Sequence, residues 1–257
     1  MVSMSPWQRL SAELDQWQAL GRAATLWWRD DDAVTATPAL EKLLGLQRHH
    51  GVPLALATIP AQVQEALACK LEHHPQIAVL QHGYAHENHA GEGERAIELG
   101  AQRPREVVVE ELQKGWRNLR ALFAHRLLPV MVPPWNRISP GLYPDLYGLG
   151  YRALSCFSPR SHAELDCGLL QSNCHADLID WRGGRRFRGE DPTLEQICDH
   201  LQARRQGRAD ATEATGILSH HLAHDDDCWR FLDTLLDRCN RHPGARWLEA
   251  DEACLGQ

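Results

Sequence analysis

Between residues 23 and 248 the chain alternates short apolar runs with amphipathic stretches of helical period, and this alternation constrains the fold more than any other feature. Strand signals fall at 23–29 (AATLWWR), 52–59 (VPLALATI), 77–82 (IAVLQH), 127–132 (LLPVMV), 151–156 (YRALSC), 216–220 and 245–248. Helix signals fill the gaps at 38–51, 60–73, 139–148, 192–206 and 226–241, and a long one opens at Pro104 with Val108, Leu112, Trp116, Leu119 and Phe123 on one face. The stretch 157–191 holds only strand-like pieces near 168–172 and 176–181. Strands separated by helices predict a mostly parallel α/β sheet with both faces covered. Pattern alone leaves open whether that sheet closes into a barrel. If it does, polar chemistry belongs where strands end and loops begin.

Composition narrows the function classes. A chain of 257 residues with 43% hydrophobic and 24% charged residues can bury a core. Its net charge of -7 argues against sequence-independent binding to nucleic acid or to an anionic membrane. No apolar run approaches the roughly 18 residues of a membrane span. Arg9, Glu13 and Asp15 interrupt the region where a secretory signal would be apolar, and the eight cysteines form no C-x-x-C pair, so the expectation is a cytoplasmic protein with reduced thiols. No linker or repeat divides the chain, which predicts a single domain over 1–257. Ser5, Pro6 and Gly21 frame an added helix at about 6–20, with Trp7, Leu10, Leu14 and Trp17 on one face.

Polar residues gather at the expected strand ends. The first strand runs into Arg29, Asp30, Asp31 and Asp32. Read alone, an acidic triplet is more often a solvated turn or a helix cap. The third strand ends in HGYAHENH, where His82 and His86 would share a face if the turn were helical, at a spacing suited to two imidazole ligands. Gly83 stands where a metalloprotease motif needs Glu. VPPWNRI places Trp135, Asn136 and Arg137 on a loop stiffened by Pro133 and Pro134. DLIDW carries Asp177, Asp180 and Trp181, and ILSHHLAHDD ends a late strand in His220 and His221.

In this order the motifs resemble those of the polysaccharide deacetylases, the NodB-homology carbohydrate esterases, over about residues 24–248. The resemblance implies a distorted (β/α) barrel of about seven strands and a divalent metal, zinc above all, held by Asp32, His82 and His86. It implies Asp31 as general base, His220 as general acid, and the backbone N–H of Trp135 at the oxyanion, with Asn136 and Trp181 toward the substrate and Asp177 and Asp180 in support. The triplet leaves a second register open, with Asp30 as base and Asp31 as ligand, and His221 competes with His220. The third motif departs from the family: Val132 occupies the place of the arginine that orients the base, and Asn136 that of a glycine. Arg29 or Arg137 is then expected to contact Asp31, Asp177 or Asp180. The implied activity is metal-dependent removal of N-acetyl or O-acetyl groups from a saccharide or glycoconjugate. Its competitors are metal-independent hydrolysis of a non-peptide C–N bond and a catalytically inactive sugar-binding homologue.

Overall fold

The computed structural model describes residues 4–256, so the ends of the domain expected over 1–257 lie outside the described residues. The amino-terminal helix α1 (Pro6–Ala19) starts from a capping box, in which Ser5 Oγ accepts from Gln8 N–H and Gln8 Oε1 from Ser5 N–H. It lies on the outside of the sheet layer, tied to a later helix by Glu13 and Arg205 at 2.7 Å.

The strands follow in order: β1 (Ala24–Ala33), β2 (Leu54–Thr58), β3 (Ile77–His82), β4 (Leu127–Val132), β5 (Ala153–Leu154), β6 (Leu170–Gln171) and β7 (Cys174–Asp177). The two-residue strands β8 (Ile179–Asp180) and β9 (Arg186–Phe187) pair as an antiparallel hairpin, and β10 (Thr215–Ser219) and β11 (Ala245–Trp247) complete the set. The main sheet has nine strands in the path β6-β5-β4-β3-β2-β1-β10-β7, with β11 also on β1, and every ladder in it is parallel. No ladder joins β6 to β7, although a single parallel bridge between Phe157 and Cys174 brings that gap together. The α/β barrel is therefore open on one side. Two of the nine strands, β5 and β6, are only two residues long, so the longer members match the expected number.

Helices α2 (Pro38–His50), α3 (Glu65–Leu71), α4 (Arg105–Phe123), α5 (Tyr143–Gly148), α6 (Glu190–Arg205), α7 (Asp226–Arg241) and α8 (Ala250–Leu255) fill the connections. Helix α3 is shorter than the expected 60–73 because Ala61 N–H bonds to Tyr84 O and Gln64 N–H to Val34 O, which holds that segment as a turn. The expected helix at 139–148 is split into a short turn at Pro140–Leu142 and α5, and the expected strand at 151–156 contracts to β5.

Two apolar layers position the site. One, with Leu26, Trp28, Leu56 and Ile217, lies between the sheet and the helices; the other, with Trp27, Ala57, Leu80, Val132 and Leu218, fills the barrel interior. Both tryptophans of β1 are buried with their N–H bonded, Trp27 to Asn173 O and Trp28 to Ser219 Oγ.

Candidate active site

Strand alternation sorts the three aspartates. Side chains two apart share a face, so Arg29 and Asp31 follow Trp27 into the barrel while Asp30 follows Trp28 outward. Asp30 accepts from Ser219 Oγ at 2.6 Å and from His221 N–H at 3.0 Å, and pairs with His221 Nδ1 at 2.5 Å. The same alternation on β10 sends His220 inward after Leu218 and His221 outward after Ser219. Asp30 and His221 thus satisfy each other behind the strand, away from Asp31 and His220. Beyond Asp30 the β1–β2 register shifts, and Asp32 takes φ 71°, a left-handed conformation that breaks the pleat and carries its carboxylate to the barrel mouth.

Arg29 is wholly buried and every arm of its guanidinium is engaged. Nε and Nη2 donate to Asp31 Oδ1 and Oδ2 at 2.8 and 3.0 Å, Nη1 donates to Ser155 Oγ at 2.7 Å and Ser155 O at 3.1 Å, and Nη2 also donates to Asn136 Oδ1 at 2.7 Å. Burial alone would lower its proton affinity, but the Asp31 carboxylate outweighs that and holds Arg29 firmly charged. Arg137 takes no part in this network; its Nη1 donates to Ala96 O at 2.8 Å. Asn136, expected toward the substrate, spends its amide oxygen on Arg29.

Asp32 Oδ1 lies 3.2 Å from His82 Nε2 and 3.4 Å from His86 Nε2, and ligand atoms of the three residues all fall within 4.8 Å of one another. His82 Nδ1 lies 2.9 Å from Val132 O, which fixes the proton there and leaves the Nε2 lone pair facing inward. Burial works to raise the Asp32 carboxyl, but His82 next to it, with His220 and His86, holds it well below the usual carboxylate range. Burial depresses His82, yet Asp31 and Asp32 outweigh it and raise its proton affinity, so the space between these atoms favours positive charge. Asp32 Oδ1 is buried with no hydrogen-bond donor of its own. One carboxylate and two imidazoles around such an orphaned oxygen fit a divalent ion with open positions. The two histidines do not sit on a helix as their spacing suggested: residues 83–91 form an irregular loop, and His86 has φ 59°.

His220 Nδ1 lies 4.0 Å from Asp177 Oδ1, and the Trp181 ring packs edge-on against His220 at 4.6 Å. Asp177 accepts from Trp181 Nε1 and from Ile179 N–H, both at 2.9 Å. Asp180 accepts from Arg182 and Gly183 N–H at 3.1 and 2.9 Å and caps the β8–β9 turn. In the Pro-rich loop Trp135 and Asn136 both take left-handed φ, 54° and 57°. Asn136 and Arg137 N–H return to Pro133 O and Pro134 O, a pattern that does not use the Trp135 N–H, and the Trp135 ring packs on His86 at 4.4 Å.

Three features escaped the sequence reading. Ser155 follows β5 and anchors Arg29, a contact across 126 positions that no local pattern signals. Buried Glu98 accepts from Tyr84 and Ala85 N–H and so holds the loop between the two histidines. His175, His200 and Glu213 form a second buried group at the opposite end of β7 and β10, with the imidazoles stacked at 3.4 Å and His175 Nε2 3.4 Å from Glu213 Oε2. There Gly216 N–H donates to His175 Nδ1. The proton of a neutral His175 must then sit on Nε2 and removes the lone pair a cation would need. This second group is a structural network.

Neither a protein-family sequence model nor a curated protein matches the chain. Solved structures do. A Mycobacterium smegmatis protein assigned as a polysaccharide deacetylase superposes with a TM-score of 0.65 at 16% identity, over 88% of this chain and 86% of its own. The chain has the polysaccharide deacetylase fold, that of the NodB-type carbohydrate esterases. A family 4 acetyl xylan esterase from Clostridium thermocellum, solved with a cobalt ion, shares the deacetylase fold at TM-score 0.51 and 12% identity, over 89% of each chain. A Bacillus anthracis pseudoenzyme shares it at TM-score 0.54 and 16% identity, over 88% of this chain and 63% of its own. The fold therefore carries active and inactive members, and the side chains must decide.

Proposed function

We propose that the protein is a metal-dependent hydrolase that removes N-linked or O-linked acetyl groups from a saccharide or glycoconjugate. The observation that carries this reading is the buried Arg29–Asp31 pair, which aims a carboxylate into the same mouth as the Asp32, His82 and His86 ligand atoms. A site without catalysis has no use for a base so tethered, and a metal-free site has none for the trio. Asp32 Oδ1 with Nε2 of His82 and His86 would hold the ion, zinc above all, which supplies Lewis acidity toward the acetyl carbonyl and an acidified water.

The protein's own groups do the remaining work. Asp31, fixed by two hydrogen bonds from Arg29, takes the proton of the attacking water. The Trp135 N–H, held by the left-handed turn, donates to the oxygen on which charge develops. His220, with the Asp177 carboxylate 4.0 Å from its Nδ1, delivers a proton from its other nitrogen to the departing amine or alcohol, which cannot leave as an anion. The Trp135 and Trp181 rings flank His86 and His220 and offer apolar faces to a sugar.

We further read the chain as a single domain. All eight cysteines are unpaired, which supports a reducing compartment. No helix among the described residues is long and apolar enough to cross a membrane. The test is acetate release from a panel of acetylated saccharides, before and after chelation and after return of a divalent ion. Release that chelation stops and metal restores is expected. Release indifferent to chelation favours the metal-independent C–N hydrolase class, and saccharide binding with no release favours the inactive homologue.

A further inference from the structure

Arginines on the rim of this site lack a counter-charge. Arg137 lines a cleft of about 380 Å³ with Tyr143, Phe157 and Gln171, and the cleft reaches Asn136, the residue bonded to Arg29. The bond from Arg137 Nη1 to Ala96 O brings the loop carrying Arg95 beside it, and Arg182 follows Trp181, whose ring lies on His220. Among the described residues none of Arg95, Arg137 and Arg182 forms an ion pair, whereas Arg160 in the same cleft is matched by Asp210 at 2.8 Å. Asp180, the nearest acid on that hairpin, accepts from two backbone N–H groups. Burial lowers the proton affinity of Arg137, and the charges of Arg95 and Arg182 lower it further. In a chain of net charge -7 such a cluster is no by-product of a basic composition.

We propose that the substrate is an anionic acetylated saccharide whose phosphate or carboxylate sits on Arg137, flanked by Arg95 and Arg182, while its acetyl group reaches Asp31. The proposal rests on the deacetylase reading above and names its substrate class. Arg137 is well placed to hold such a group, because one arm is fixed by a backbone carbonyl and so orients the rest of a planar fork that binds two oxygens at once.

The experiment compares kcat/KM for N-acetylglucosamine, its 6-phosphate and the corresponding N-acetylated uronate, in wild type and Arg137→Met. Wild type should prefer the anionic sugars, chiefly through KM, and the preference should shrink as salt is raised. Arg137→Met should cut the anionic-to-neutral ratio by about 10- to 100-fold, the range for losing a hydrogen bond to a charged group, with Arg137→Lys recovering part. Whichever of phosphate and carboxylate is favoured identifies the source of the charge. Equal use of neutral and anionic sugars, or an Arg137→Met loss shared alike by both, overturns the proposal and leaves deacetylation standing. Calorimetry with glucosamine 6-phosphate separates the reverse case: binding lost in Arg137→Met, with no acetate released from any sugar, retains the anion site and rejects the deacetylase reading.

Discussion

Replacing Arg29 by Met removes the charge but keeps most of the volume, and the structure sets what should follow. Asp31 is 1% exposed and loses its two strongest donors, leaving a buried carboxylate unpaired. Breaking a buried pair from one side costs about 3–5 kcal/mol, which in a domain of this size lowers Tm by roughly 6–20 °C at about 2–4 °C per kcal/mol. Turnover should fall by about 10²–10⁴, the contribution of a correctly held general base, while divalent metal content stays at wild-type level because Arg29 touches no proposed ligand. Adding Asp31→Asn to Arg29→Met removes the stranded charge and should restore part of the lost stability without restoring turnover. Thermal melts, metal analysis and acetate release on the four proteins complete the cycle. An Arg29→Met protein as stable and active as wild type would refute the tether, and a double variant no more stable than Arg29→Met would refute the buried-charge argument.

Three further outcomes follow from the same structure. In Gly83→Ala the new Cβ would stand 2.1 Å from Glu98 Oε2 and 2.6 Å from the Pro134 ring at φ +55°; the histidine loop should shift, with a loss of roughly 1–3 kcal/mol and weaker metal binding in a competition titration. Asp30→Ala strips His221 and Ser219 of their buried acceptor and should destabilise by about 3–5 kcal/mol in denaturant, with the folded protein still taking up metal; a stable variant that has lost the metal would place Asp30 in the site instead. Burial, with His175 and Arg204 beside it, pulls His200 down to about 2, and burial also lowers His175. The unfolded chain therefore takes up these protons first, so the stability is fully present above about pH 6.5 and falls with acid by up to about 1.4 kcal/mol per pH unit for each histidine; denaturation series at several pH values should show the slope, and His200→Gln should flatten it.

The sequence made the strand ends legible because parallel strands buried on both faces read as apolar runs, and a polar residue at such an end stands out. Arg29, Asp31, His82 and His220 stood out as candidates on that basis, and the resemblance to the polysaccharide deacetylases supplied their roles. Nearness in sequence favoured Arg29 over Arg137, and the contact itself comes from two residues of one strand sharing a face. Strand alternation alone would have aimed Asp32 outward with Asp30, and its place among the ligands came from the family resemblance; its left-handed backbone breaks that alternation. The helical reading of His82 and His86 failed because Glu98 holds the intervening backbone as a loop. Ser155 and the His175, His200 and Glu213 group stayed hidden for one reason: their partners are remote in sequence, and only the folded sheet brings them together.

Adjacent aspartates divide the labour, Asp31 as base and Asp32 as ligand, and metal content measured beside turnover in Asp31→Asn and Asp32→Asn tests that division. Asp31→Asn should bind about one divalent ion per chain, as a three-residue site implies, and turn over no acetylated saccharide. Asp32→Asn should lose both. Metal lost from Asp31→Asn and kept in Asp32→Asn would contradict the assignment of base and ligand.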